Sequence, residues 1–157
     1  MPDNRTQLIL IAAGGSAALL LGAFAFQYLG GMAPCKLCLW QRWPHAAAVA
    51  IGALALWLPG RALPLGGALA ALATAAIALY HTGVERHWWE GPATCTSGGI
   101  ADLSPQQLMD QIMAAPLVRC DDVPWEMLGL SMASWNALAS GALALVWLMA
   151  AKSARPA

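Results

Sequence analysis

Charged residues are scarce in this chain. Only 10% of its 157 residues are Asp, Glu, Lys or Arg, against roughly 25% in ordinary soluble proteins. The few charges also cancel, eight basic against eight acidic, which leaves no basic field for holding nucleic acid. A third absence concerns the first apolar run, residues 8–29. It carries no charge, and no A-x-A-like cleavage site closes it. The apolar core of a signal peptide spans about 7–15 residues, whereas a helix needs about 20 to cross a bilayer. This run is therefore expected to stay in place as a spanning helix. Apolar side chains fill the room that charge leaves, at 59% of the chain. The composition is that of an integral membrane protein, and the length suits a single domain, residues 1–157.

Three more spans are expected, at about 41–58, 62–80 and 130–151. Pro44 sets the start of the second. Proline costs no helical hydrogen bond only in the first turn, so that helix is expected to begin near Gln41 or Arg42. Pro59-Gly60-Arg61 turns the chain into the third span. In the first, Gly14-Gly15-Ser16 and Gly22 allow close helix approach. The fold class expected is all-α, a four-helix transmembrane bundle. One loop, at about 30–40, is short. The other, at about 81–129, is long and carries a short amphipathic helix. Ser104 is a good N-cap, Pro105 suits the first helical position, and Gln107 completes a capping box. Leu108, Met109, Ile112 and Met113 recur on one side, as in a helix lying on a membrane surface.

Four spans put both termini on one side, with Arg5, Arg61, Lys152 and Arg155. Lys36, Arg42, Arg86 and Arg119 lie on the other. The numbers balance, but the first set occupies very short segments beside span ends, the segments that set orientation. Both termini are therefore expected in the cytoplasm. Trp40, Trp43, Trp88, Trp89 and Trp125 would then anchor the outer interface, and Trp57 and Trp147 the inner one.

The four cysteines fall in the outer loops. Cys35 and Cys38 form a C-x-x-C pair with Arg42 four residues beyond. Such motifs commonly lower a thiol pKa, as do a nearby cation and a helix N-terminus. Cys95 and Cys120 stand 25 positions apart. Redox chemistry, structural disulfides and a zinc site are all open on these residues alone, and four cysteines allow three pairings. An oxidising compartment suits any disulfide reading.

The whole constellation resembles the DsbB family of bacterial inner-membrane disulfide-bond formation proteins. The likeness rests on four spans, Cys35-Lys36-Leu37-Cys38 followed by Arg42, and two outer segments. These are Gly91-Pro92-Ala93-Thr94-Cys95 and the run from Cys120-Asp121-Asp122-Val123-Pro124-Trp125 to Met132. The resemblance implies a protein-disulfide oxidoreductase with catalytic Cys35, Cys38, Cys95 and Cys120. Electrons would pass from a reduced periplasmic DsbA-type thioredoxin-fold oxidase to Cys95–Cys120, then to Cys35–Cys38. Cys38 would hand them to a membrane quinone, ubiquinone or else menaquinone, with Arg42 and His81 beside it and no metal involved. Glu85, four residues after His81, could orient that ring. His45 and His87 look less specific. Two rivals are a vitamin K epoxide reductase-like oxidoreductase, and a non-enzymatic membrane protein with structural disulfides or a four-thiolate zinc site. In the former the C-x-x-C sits late in the bundle rather than before the second span.

Overall fold

The computed structural model describes residues 3–92, 95, 104–114 and 118–154, with the side chains of Leu108, Gln111, Ile112 and Ala114 left aside. Four long helices carry the fold: α1 (Asn4–Tyr28), α2 (Lys36–Trp57), α3 (Ala62–Glu85) and α5 (Met132–Ser153). A short α4 (Pro105–Ala114) and a two-stranded hairpin, β1 (Glu126–Met127) and β2 (Leu130–Ser131), lie in the segment between α3 and α5. α1 packs on α2 and α5, and α3 packs on the same two, so the helices close a ring. By length and apolarity α1, α3 and α5 can each cross a membrane. α2, with 22 residues, is long enough at about 33 Å. Its first turns, however, carry Lys36, Gln41, Arg42 and His45.

The boundaries differ from the sequence expectation in instructive ways. α2 starts at Lys36, and Pro44 lies inside it. The start is fixed by Cys35, whose Sγ accepts the Cys38 backbone N–H at 3.2 Å. The cap satisfies an end that would otherwise be bare, and neighbouring helices tolerate a proline in a membrane helix. α3 runs past residue 80 to Glu85, which puts His81 and Glu85 on consecutive turns. α5 starts at Met132, two residues late, because Leu130 and Ser131 pair with Met127 and Glu126. The hairpin turn has Leu128 at φ 55° and Gly129 at φ 75°, the left-handed pair of a type I′ turn. Ser131 then caps α5 by accepting the Ser134 N–H. The expected capping box of α4 is present, with reciprocal bonds between Ser104 and Gln107 of 2.9 and 3.4 Å. Met109 and Met113 on α4 are exposed.

Small residues set the helix spacing. Ala12, Ala55, Ala68, Ala71, Ala144 and Ala150 surround Ile9 and Trp147 in the main core. A Cβ at Gly52 would collide with Ala13, and one at Gly67 with the Trp147 indole. Of the glycines named for close approach, Gly15 meets Leu143, whereas Gly14 and Gly22 face open space. Trp147 is fully buried rather than anchored at an interface. The hollow opposite Gly67 admits the indole, and burying so large a ring outweighs placing it among headgroups. Trp57, Trp43 and Trp88 are exposed.

One end of the bundle gathers both chain ends. Asn4 Nδ2 lies 3.4 Å from Ser153 Oγ, Arg5 donates to the Leu58 carbonyl at 2.9 Å, and Arg61 donates to the Ala154 carbonyl at 3.3 Å. The cysteines occupy the opposite end.

Candidate active site

All four cysteines meet in one packed cluster with Leu37 and Val84. Cys95 and Cys120 are joined by a disulfide, while Cys35 and Cys38 are free. The backbone reinforces the first pairing, since the Cys120 N–H donates to the Cys95 carbonyl at 2.8 Å. Cys35 donates its thiol proton to Cys38 Sγ across 2.8 Å. Cys35 precedes α2, and that hydrogen bond, together with burial, holds its thiol far above the ordinary range. Cys38 sits in the first turn of α2, where free N–H groups favour a thiolate. The pair is thus polarised: Cys35 keeps the proton and Cys38 carries the electron density.

His81 joins the two pairs. Its Nε2 lies 3.1 Å from the Cys120 carbonyl oxygen, 3.6 Å from Cys35 Sγ and 3.7 Å from Glu85 Oε1. A carbonyl only accepts, so Nε2 carries hydrogen and faces the sulfur as a donor. Glu85 takes its stronger bond from the Ser131 hydroxyl, so it orients His81 only weakly. Sequence reasoning could place His81 near the dithiol; it could not see the ring pinned to the backbone of the second cysteine pair.

A cavity of about 330 Å³ opens beside this cluster. Cys35, Cys38, Gln41, Arg42, His45, His81 and Asn136 supply polar groups, and Leu19, Phe26, Met132 and Trp135 supply apolar walls. Arg42 turns its terminal nitrogens to α1. It donates to Gln27 Oε1 at 2.6 Å and to the Ala23 carbonyl at 3.4 Å, and its guanidinium covers the Phe24 ring at 4.8 Å. Its Nε is buried with no partner among the described residues. A donor without an acceptor at the wall of a largely apolar cavity suits a carbonyl-bearing, otherwise apolar guest, and the volume suits a small ring. The residues present therefore fit a quinone headgroup.

Gln41 and Asn136, unmarked in the sequence, and His45, which looks less specific there, belong to a buried relay at the cavity wall. The Thr74 hydroxyl donates to the Gln41 carbonyl at 3.1 Å, so it accepts from Asn136 Nδ2 at 3.3 Å. Asn136 Nδ2 also donates to Gln41 Oε1 at 2.7 Å, and Gln41 Nε2 donates to His81 Nδ1 at 3.0 Å. Asn136 Oδ1 in turn faces His45 Nε2 at 3.0 Å and accepts from Ser140 at 3.1 Å. No local motif announces such a chain, because its members come from three helices. The sole hint was the appearance of Gln41 and His45 inside an apolar run.

The Cys95 side chain is buried, at 1% exposure. Residues 96–99 lie outside the described residues, as do Ala93, Thr94 and Arg155. Asp121 and Asp122 flank Cys120, and Arg119 holds Asp121 in a two-pronged pair at 3.0 and 2.5 Å. A four-thiolate zinc site is not formed, since the disulfide takes two of its thiols.

Comparison with known proteins agrees with this geometry. The profile of the family described as "Disulfide bond formation protein DsbB" matches residues 5–150. A disulfide bond formation protein B of Azoarcus sp. (strain BH72) is 31% identical, over 99% of this chain and 98% of its own length. That of Methylococcus capsulatus is 35% identical over 86% of each chain, and that of Pasteurella multocida 31% identical over 90% and 85%. No solved structure matches significantly. A profile covering nearly the whole chain, relatives matched almost end to end, and two cysteine pairs packed beside an apolar cavity lead to one assignment: the chain belongs to the DsbB family of multi-pass inner-membrane, quinone-dependent thiol oxidoreductases that generate disulfides.

Proposed function

We propose that this protein reoxidises a periplasmic DsbA-type thioredoxin-fold oxidase and passes the electrons to ubiquinone. Both termini lie in the cytoplasm and the cysteines face the periplasm. A partner thiolate attacks Cys95 Sγ and Cys120 leaves as thiolate, giving a mixed disulfide. The partner's second thiol then attacks its own sulfur in that bond and departs oxidised. The Cys95/Cys120 dithiol next reduces a Cys35–Cys38 disulfide by the same exchange, two electrons moving inward. The pairing present here, Cys95–Cys120 joined and Cys35/Cys38 free, is the one expected after that step. A bound quinone supplies the two-electron, two-proton acceptor that re-forms the Cys35–Cys38 disulfide.

The chain's own groups do the rest. Cys35 holds a proton for transfer, Cys38 offers its sulfur to the cavity, and His81 Nε2–H steadies the charge that develops on Cys35 as that proton departs. Arg42 Nε offers a donor to a ring oxygen. The observation that carries the reading is the packing of both cysteine pairs against His81 at the wall of the cavity.

The test is turnover of purified protein with a reduced DsbA-type partner, followed by the loss of quinone absorbance. Ubiquinone should be consumed one for one with partner disulfide, and faster than menaquinone. No quinone loss while the partner is oxidised would overturn the electron path. Orientation is tested separately: after reduction, Cys95 and Cys120 should react with membrane-impermeant reagents added from the periplasmic side. Labelling from the cytoplasmic side alone would reverse the topology.

A further inference from the structure

Among the described residues, five buried side-chain polar atoms lack a hydrogen-bonding partner: Arg5 Nε, Ser16 Oγ, Arg42 Nε, His45 Nδ1 and Trp147 Nε1. Two of these residues, Arg42 and His45, line the cavity. They stand three positions apart on α2, on the face that also carries Cys38. Arg42 Nε can only donate. The hydrogen-bond relay decides the character of the other.

The Thr74 hydroxyl donates to a backbone carbonyl, which fixes Asn136 Nδ2 as the atom facing Thr74. Asn136 Oδ1 is then the atom facing His45. An amide oxygen only accepts, so His45 Nε2 carries hydrogen. A neutral imidazole has one N–H, which leaves His45 Nδ1 as a bare acceptor. The opposite end of the relay agrees. Gln41 Oε1 accepts from Asn136, so Gln41 Nε2 donates to His81 Nδ1, and the Cys120 carbonyl independently requires hydrogen on His81 Nε2. Two backbone carbonyls therefore set every donor and acceptor between them.

His45 is 4% exposed, and its Nδ1 has no partner among the described residues. A buried acceptor left unsatisfied costs about 1–3 kcal/mol. We propose that His45 is a quinol-recognition residue, its Nδ1 accepting a hydrogen bond from a hydroxyl of the reduced ring. This rests on the quinone reading above and extends it. Oxidised quinone has carbonyls and no hydroxyl, and so offers Nδ1 no proton. When the dithiol gives up two electrons and two protons and closes to the Cys35–Cys38 disulfide, the ring gains two hydroxyls. One of them meets His45. The site thus favours the reduced ring over the oxidised one by that hydrogen bond, which favours oxidation of the dithiol.

The experiment compares three ligands by quenching of tryptophan fluorescence, since Trp125 and Trp135 line the cavity. The ligands are a short-chain ubiquinol, the matching quinone, and the quinol capped as its di-O-methyl ether, which has no hydroxyl. Wild-type protein should bind the quinol roughly fivefold more tightly than the ether, the worth of one neutral hydrogen bond. His45→Leu should erase that preference, and His45→Gln, which retains a donor and an acceptor, should restore part of it. Thermal unfolding in detergent reports whether each variant is folded. A measurement on wild type needs no variant: the ¹⁵N resonance of His45 Nδ1 should move on adding quinol and stay put with the ether. A quinol preference that survives in folded His45→Leu, or an unmoved Nδ1 with quinol bound, overturns the assignment while leaving the quinone reading intact. Wild type that binds neither quinone nor quinol overturns both.

Discussion

At the scale of single residues, the chemistry turns on where donors end and acceptors begin. Arg42 spends its terminal nitrogens on α1, through Gln27 and the Ala23 carbonyl, and its buried Nε has no partner among the described residues. Arg42→Ala is therefore expected to slow quinone reduction roughly 10- to 100-fold, on the order of 1–3 kcal/mol, mostly through a raised KM for quinone. Lysine should recover part, having charge without the planar fork. Unchanged kinetics in Arg42→Ala, at low and at saturating quinone, would refute the role. Outside the bundle, Arg119 holds the Asp121 carboxyl below its ordinary range near 3.8. A depressed folded value means the pair stabilises fully above the unfolded pKa, and that its contribution fades as pH falls through the folded one. The difference in Tm between wild type and Asp121→Asn should stay constant from about pH 8 to 5 and close below about pH 4. A difference that widens on acidification would contradict the assignment. The cysteines, Arg42 and His81 were legible in the sequence because their spacing or their family pattern marks them. Gln41, His45 and Asn136 were not, because a hydrogen bond between residues 41 and 136 leaves no trace in either neighbourhood.

At the scale of helices, hydropathy placed the spans to within a few residues, and caps decided the remainder. Cys35 illustrates the difference: one sulfur both caps α2 and serves as half of the dithiol. A proline rule applied without that cap puts the helix start too late. The tryptophans divide in the same way. Position along a span says how deep an indole lies, but whether it faces lipid or core depends on the partner helix. Gly67 supplies the hollow that Trp147 fills. Gly67→Val should force the indole aside and cost about 1–3 kcal/mol, whereas Gly14→Ala, facing open space, should leave Tm unchanged or raise it. Thermal unfolding of both variants in the same detergent checks the contrast, and equal destabilisation would show that helix spacing is not set at Gly67.

At the scale of the whole molecule, the two cysteine pairs form one packed unit across the end of the bundle that lies opposite the termini. Removing Cys120 tests the order of events across it. Cys120→Ser should accumulate a covalent complex with a reduced DsbA-type partner through Cys95, visible on non-reducing gels and by peptide mapping. A complex through Cys35 or Cys38, with Cys95→Ser still active, would sink the proposed path. Burial of the Cys95–Cys120 disulfide bears on a different matter, that of leakage. A disulfide held at 1% and 0% exposure offers a passing thiol little access, and exchange rates depend on access as well as on potential. Cys95 has to become accessible before a thiolate can reach it, so a partner protein that binds there gains an advantage over a small thiol that must wait for the pair to open. Burial of the intact pair thus insulates it, which slows any short-circuit by small thiols of a current meant for one donor.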